Sequence, residues 1–272
     1  MAHTEIDGHA LVLRTELPRV AVDCPELLGA SASCADEDGD GLVDAWELMV
    51  LARLGPVVRL DAEEPLLAEP GFAVALVGRV APAPPRIRVF MALLYTRDYG
   101  SCGGITAHHG DAERVVMELA PLPGAGAGDV RVERIYTAAH EDGVNRHNQT
   151  FQGDGLAALV LEPDPTIGEP RWIVYASRAK HATYGSQAIC ERISILPCLH
   201  EHCSRAGGVE AGRHDLLLAV ANAGEPDHPL LTSLAPCGFP GEESWAERPF
   251  CGGLGGSRCA SPVRRMLLEW PF

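Results

Sequence analysis

The stretch FAVALVGRVAPAPPRIRVFMALLY at residues 72–95 decides the fold class. It holds two apolar runs of strand length, rich in β-branched and aromatic residues, with three prolines between them. Such runs are typical of strands separated by a turn. Similar runs follow at 114–119, 130–138, 156–163, 171–178 and 215–222. Because 29 glycines and 21 prolines supply turns, the pattern predicts an all-β chain, either a β-sandwich or a barrel.

Composition and charge exclude some classes of partner. The 272 residues are 46% hydrophobic and 22% charged, as in ordinary globular proteins. The net charge of −15 argues against nucleic acid, because phosphate binding needs a basic face. No apolar stretch reaches the roughly 18 residues of a membrane span, and the first residues lack the features of a signal peptide. We therefore expect neither a nucleic-acid partner nor a transmembrane segment.

The nine cysteines indicate an oxidising compartment. This predicts a secreted, periplasmic or cell-surface protein with several disulfides. An odd count leaves at least one cysteine free or paired outside the chain. Two local pairs fit the spacing, Cys24–Cys34 and Cys198–Cys203.

An acidic loop at residues 36–47, within CADEDGDGLVDAWEL (34–48), has the register of an EF-hand calcium site. Gly41 stands at the sixth position, where a sharp bend is needed. The segment 44–55 that follows has helical spacing and ends at Gly-Pro. We expect Ca²⁺ to be held by loop positions 1, 3, 5, 7, 9 and 12, which are Asp36, Asp38, Asp40, Leu42, Asp44 and Glu47.

A second group of metal-ligand types lies in YTRDYGSCGGITAHHGDAERVVMEL at 95–119. Asp111 and Glu113 point to one face if this segment is a strand, and His108 lies just before them. Asp98 precedes them in a loop. One imidazole and three carboxylates suit Mg²⁺, Ca²⁺ or Mn²⁺. These four residues are the predicted second metal site.

The segment PCLHEHCSR at 197–205 also offers zinc-ligand types. Its spacing is tighter than that of structural zinc sites. A Cys198–Cys203 disulfide beside two surface histidines, His200 and His202, is therefore preferred.

Several of these segments resemble a known family. HHGDAERVVMEL resembles the H-x-G-D-W-E-x-V signature of the vacuolar-protein-sorting-62-like family and the G-H-R-H-D-W-E heptad of the necrosis- and ethylene-inducing (Nep-like) cytolysins. LGPVVRLDAEEPLL, IYTAAHEDG, RWIVYASRAKHATYGS and FCGGLGGSRCASP resemble further family segments in the same order. The acidic loop resembles the single calcium loops of dockerin-like modules.

The resemblance implies a β-sandwich with a surface divalent-metal site. Its ligands would be His108, Asp111 and Glu113, with Asp98 less closely matched in spacing. His140 and His181 match later histidine-bearing turns, and would be ligands or would support the ligands. The signature tryptophan is replaced by Ala112 and a second one by Leu254, and both replacements are expected to remove aromatic bulk from the pocket.

The predicted organisation has three parts: an N-terminal extension at 1–33, the calcium loop and helix at 34–55, and a β-sandwich domain at 56–272. The leading hypothesis is a protein that binds a polar ligand, a lipid head group or glycan, at the second metal site. The alternatives are a metal-dependent hydrolase with His181 or His140 as general acid or base, and a structural surface module.

Overall fold

The computed structural model describes residues 2–20, 34–68, 74–105, 107–124, 126–139, 147–163, 168–193, 200–204, 217–222, 251–252, 258–259 and 263–272. Within these ranges only the backbone is described at 75, 96, 108–110, 217–222, 251–252, 258–259 and 263–265.

Strands dominate this part of the chain. They are β1 (Ala2–Asp7), β2 (Ala10–Thr15), β3 (Val57–Arg59), β4 (Val74–Ala83), β5 (Arg86–Asp98), β6 (His108–Pro121), β7 (Val130–Thr137), β8 (Gln149–Gln152), β9 (Leu161–Pro163), β10 (Pro170–Ala176), β11 (Thr183–Tyr184), β12 (Leu217–Asn222), β13 (Cys251–Gly252) and β14 (Arg258–Cys259). The helices are α1 (Asp44–Leu54), α2 (Gln187–Cys190) and α3 (Val263–Leu268), with 3₁₀ turns at Pro65–Ala68 and Gly153–Ala158. The predicted all-β class is confirmed.

The strands form two main sheets. The large sheet has the order β1-β2-β7-β6-β5-β4-β12, with β8 beside β7, and is antiparallel except between β4 and β12. The small sheet has the order β11-β10-β3, with β9 also paired to β10. Inward residues of both sheets share one core, so the arrangement is sandwich-like.

The unbroken apolar run of β5 is explained by burial on both faces of the large sheet. Met91 and Leu93 belong to the inner core, which also contains Trp172 of the small sheet. Phe90 and Leu94 belong to an outer core, which α3 covers with Met266 and Leu267. A strand buried on both faces needs apolar residues at successive positions instead of alternate ones.

The replacement of the signature tryptophan by Ala112 does not open the second metal site, contrary to the expectation. Ala112 lies in the outer core, on the face that α3 covers. Asp111 and Glu113 lie on the opposite face of β6, because successive side chains of a strand alternate. Leu254 lies outside the described residues.

Helix α1 packs its apolar side into the inner core. Trp46, Val50 and Leu51 are fully buried, and Trp46 Nε1–H donates to the carbonyl of Gly128 at 2.9 Å. At the other end of the helix, the Arg171 guanidinium donates to the carbonyl of Gly55 at 2.7 Å. Trp172 donates to the carbonyl of Leu54 in the same region. Because β10 supplies these donors to carbonyls at the helix end, α1 is tied to the small sheet.

One of the two expected disulfides is wrong. Cys203 is bonded to Cys190, with a Cα–Cα distance of 6.2 Å, and not to Cys198. Spacing suggested the nearer cysteine, but the fold of α2 brings Cys190 to the segment 200–204. Cys34 is in a disulfide, whereas Cys24 lies outside the described residues, so that pairing stays a prediction.

Within the described residues, no helix is both long and apolar enough to cross a membrane.

We expect Gly128→Ala to destabilise the protein through the contact that anchors α1. A Cβ at Gly128 would lie 2.0 Å from the backbone oxygen of Leu17 and 2.7 Å from Cγ2 of Thr15. Relief of this overlap would shift backbone, at a cost of about 1–3 kcal/mol in the free energy of unfolding. Chemical denaturation would measure it.

Gly155→Ala is the matched control, because a Cβ there meets nothing within 4 Å. Its free energy of unfolding should change by less than about 0.5 kcal/mol. Equal stability of the two variants would contradict the close approach at Gly128.

Candidate metal centres

The acidic loop brings its carboxylates together as its spacing predicts. Ligand oxygens of Asp36, Asp38 and Asp40 lie within 4.8 Å of one another. Those of Asp38, Asp44 and Glu47 do so as well. The five carboxylate candidates of the loop therefore form two groups that share Asp38.

Hydrogen bonds inside the loop fix this arrangement. Gly41 has φ of +95°, and its N–H donates to Oδ2 of Asp36 at 3.1 Å. Leu42 N–H donates to Oδ1 of Asp40 at 2.8 Å. Asp44 accepts the N–H of Glu37. The bend at Gly41 needs a positive φ that glycine adopts without strain, so the carboxylates can turn inward.

Crowding makes these carboxylates costly to ionise without a cation. Burial, with the nearby charges of Asp38 and Asp36, raises the pKa of Asp40 to about 6. Burial and neighbouring carboxylates also raise the pKa of Asp38. Glu47 is fully buried. A divalent cation among these oxygens would relieve both the repulsion and the loss of hydration.

The loop is bonded to the segment that follows β2. Val20 and Leu42 form an antiparallel bridge, and Val43 N–H donates to the carbonyl of Arg19 at 3.0 Å. Within the last part of the loop, Trp46 enters the inner core. Ion binding at the loop should therefore stabilise the fold and not only the loop.

We expect Glu47→Gln to remove most of the stabilisation by calcium. For a dissociation constant of about 10⁻⁴ to 10⁻³ M, about 10 mM Ca²⁺ should raise the free energy of unfolding of the wild type by about 1.4–2.7 kcal/mol. The variant loses the ligand at the twelfth loop position, so its rise should be much smaller. Denaturation with Ca²⁺ and with a chelator measures both.

Asp154→Asn serves as the charge-matched control, because Asp154 is exposed and remote from the loop in sequence. It should respond to Ca²⁺ as the wild type does. An unchanged calcium response in Glu47→Gln would rule out this ligand set.

The second cluster lies on the inner face of the large sheet. Asp111 and Glu113 are on β6 with exposures of 4% and 8%. Tyr95 of β5 pairs with Asp111 and is fully buried. Burial and the charges of Glu113 and Asp111 raise the pKa of Tyr95 well above its usual value. Both predicted carboxylates therefore face the same buried region.

His181 joins this region from the turn after β10. Its Nδ1 lies 2.9 Å from Oδ2 of Asp111, and its ring stacks on Tyr95 with centres 4.1 Å apart and planes 9° apart. Its Nε2 lies 3.4 Å from Oε1 of Glu64. Burial opposes the charge, but Asp111 and Glu64 outweigh it and raise the pKa of His181 to about 10. The imidazolium is therefore an ion-pair partner of two carboxylates.

Glu64 is the residue that sequence reasoning missed. Its carboxylate accepts the N–H of Ala179 at 2.7 Å and the N–H of Leu66 at 3.1 Å. Burial raises the pKa of Glu64, but His181 and these two amides together lower it by more, so the net shift is downward. In the sequence Glu64 stands in the Glu-Glu-Pro of LDAEEPLL, and nothing in that spacing links it to His181.

The turn that carries His181 has an unusual backbone. His181 has φ of +57° and Ala179 has φ of +68°, in the left-handed region. His181 N–H donates to the carbonyl of Ser177 at 2.8 Å, and Tyr99 N–H donates to the carbonyl of Ala179 at 2.8 Å. Non-glycine residues occupy this region where surrounding contacts over-determine them, often at functional sites. The fold thus imposes the position of His181 beside Asp111.

The remaining predicted residues are placed only in part. Asp98 is half-buried at the end of β5, where its carboxylate accepts the N–H of Gly100. Strand alternation puts Asp98 on the face of Phe90 and Leu94, opposite to Asp111. The backbone of His108 pairs with that of Asp98.

The His108 side chain and all of His140 lie outside the described residues. Among the side chains that are described, no group of three metal ligands forms around Asp111. The composition of the second metal site therefore stays a prediction. What the structure does bring together is Glu64, Asp111, Glu113 and His181, here called the buried cluster.

We expect His181→Asn to lower the free energy of unfolding by about 3–5 kcal/mol. The substitution removes the cation between Asp111 and Glu64 and leaves buried negative charge. Chemical denaturation in the presence of a chelator measures this effect apart from any metal.

His3→Asn is the control, because the side chain of His3 is 52% exposed. It should change stability by less than about 0.5 kcal/mol. A His181→Asn variant as stable as that control would show that the imidazolium does not hold the cluster together.

Comparisons with known proteins place the chain far from characterised relatives. No protein-family model matches it, and no curated protein matches it. Two solved structures align with it at 11% identity. One, described as "Toxin fold for microbial attack and plant defense", has a TM-score of 0.36 and covers 71% of this chain and 74% of its own.

The other, described as "NLPPya in complex with glucosamine", has a TM-score of 0.25 and covers 55% of this chain and 81% of its own. The chain thus has distant structural neighbours among toxin-fold and NLP proteins. At these TM-scores the likeness supports no inference, and the all-β architecture stands on this chain's own strands.

Proposed function

We propose that this chain is a secreted β-sandwich protein with a structural Ca²⁺ in its acidic loop and a second divalent ion at the buried cluster. The second ion, Mg²⁺, Ca²⁺ or Mn²⁺, would present a polar ligand-binding site to a glycan or a lipid head group. Both ions would be held mainly by carboxylates, which are the ligands these hard cations prefer.

The burial of Asp111 and Glu113 on one face of β6 carries this proposal, with Glu64 at the other ring nitrogen of His181. Buried carboxylates are costly unless positive charge lies close to them. His181 supplies one such charge to Asp111 and Glu64. A divalent ion beside Asp111 and Glu113 would supply further charge and would leave outer coordination positions for ligand hydroxyls or phosphate oxygens.

His181 would act by positioning Asp111 and not by proton transfer to a ligand. It has no exposed surface, and its ring is covered by Tyr95. A ring nitrogen that donates to a ligand carboxylate fixes the direction in which that carboxylate points. In the hydrolase alternative a general acid or base must reach the substrate, so the buried His181 does not fill that role.

The choice of ligand class follows from the same chemistry. An oxygen-coordinated divalent ion attracts vicinal hydroxyls and phosphates and gives little affinity for apolar groups. The Cys190–Cys203 disulfide is compatible with an extracellular location, where glycans and outer-leaflet head groups are accessible. Glucosamine is the first ligand to test, because its neighbouring hydroxyls are oxygen ligands of the kind that such an ion prefers.

We expect Asp111→Asn to lose one bound divalent ion and to lose binding of glucosamine. Calorimetric titration with Mn²⁺ should show two classes of site in wild type and only that of the acidic loop in the variant. Titration with glucosamine, with and without Mn²⁺, should show binding that depends on the metal and on Asp111.

Two variants make the result specific. Glu47→Gln should lose only the site of the acidic loop, and Asp154→Asn should retain both. If Asp111→Asn binds as many ions as wild type, the second metal site is refuted. If it loses the ion but no sugar or head group binds the wild type, the structural-module alternative is favoured.

A further inference from the structure

A pair of histidines lies outside both proposed centres, on the segment 200–204. His200 and His202 are half-buried, whereas the alternate residues Glu201 and Cys203 are 1% and 3% exposed. The segment is therefore extended, with one face turned inward and the two imidazoles on the other. The two rings are adjacent, with centres 4.5 Å apart and planes at 69°.

The separation of the two ring centres is compatible with two neighbouring ligands of one metal ion. A metal about 2.0–2.1 Å from one nitrogen of each ring would lie about 3.2 Å from each ring centre. If the two directions from the metal to the ring centres were about 90° apart, the centres would be about 4.5 Å from each other. The observed separation of the ring centres is 4.5 Å. An angle near 90° is that of adjacent positions in octahedral or tetragonal coordination.

The backbone between the two histidines is held from several sides. Cys203 is tied to Cys190 by the disulfide, and Glu201 pairs with Lys180. The carbonyl of His202 accepts the N–H of Arg178 at 2.8 Å. Few degrees of freedom therefore remain to be lost when an ion binds, which favours affinity.

We propose that His200 and His202 form a two-imidazole binding site for a divalent transition metal such as Ni²⁺, Cu²⁺ or Zn²⁺. Water would complete the coordination. Cys203 takes no part, because its sulfur is in the disulfide. Imidazole ligands select these metals over Ca²⁺ and Mg²⁺, which prefer oxygen. The site is independent of the proposed function, since it shares no residue with the buried cluster or the acidic loop.

Calorimetric titration with Ni²⁺ tests this site, because Ni²⁺ binds imidazole without oxidising thiols. Saturating Ca²⁺ and Mg²⁺ are present throughout, to occupy oxygen-rich sites. Wild type should bind one equivalent of Ni²⁺ more tightly than any other. His200→Asn and His202→Asn should each weaken that equivalent by about tenfold or more, because each removes one arm of a chelate.

His3→Asn is the matched control, since it removes an exposed imidazole from another part of the chain, and it should leave the tight equivalent unchanged. The proposal would be overturned if His3→Asn lost the tightly bound equivalent of Ni²⁺. It would also be overturned if the His200→Asn/His202→Asn double variant kept that equivalent. Asp111→Asn should retain it, so failure of this site and failure of the proposed function are distinguishable.

A second measurement needs no variant. Acylation of histidines by diethyl pyrocarbonate, followed by peptide mass spectrometry, should label His200 and His202 in metal-free wild type. Ni²⁺ should protect these two together at one equivalent. Labelling of both at an unchanged rate after Ni²⁺ addition would also overturn the proposal.

Discussion

The insertion of α1 into the inner core is the constraint on which the rest of the fold depends. Its buried side chains, Trp46 among them, pack against strands of the large sheet, and its last turn is bonded to Arg171 and Trp172 of the small sheet. The acidic loop leads directly into this helix. Whatever orders the loop therefore also orders a contact between the two sheets.

In the buried cluster, ion pairs join distant parts of the chain. Three separate parts of the chain meet there: the turn that holds Glu64, the strand that holds Asp111, and the loop that holds His181. Each group would be costly to bury alone, and together they compensate one another. The ion pairs of His181 with Asp111 and Glu64 fix these three side chains relative to one another.

Much of the fold could be read from local pattern. Apolar runs of strand length became β4, β5, β6, β7 and β10, because burial of a pleated strand demands that composition. The acidic loop was equally predictable, since its candidate ligands lie within twelve consecutive residues and their spacing is that of a calcium loop. Local features of this kind need no knowledge of distant contacts.

The sequence by itself therefore determined the all-β class, the positions of the long central strands and the convergence of the acidic loop, since each depends on neighbours along the chain. The run at 156–163 instead begins within the 3₁₀ turn Gly153–Ala158, with a strand only at Leu161–Pro163. Only the tertiary structure decided that Glu64 meets His181, that Ala112 faces away from Asp111, and that Cys203 pairs with Cys190. These relations join residues far apart in sequence or depend on which face of a strand is turned inward. The spacing of residues along the chain predicts neither these distant contacts nor the inward face of a strand, because the packing of the sheets and loops fixes them.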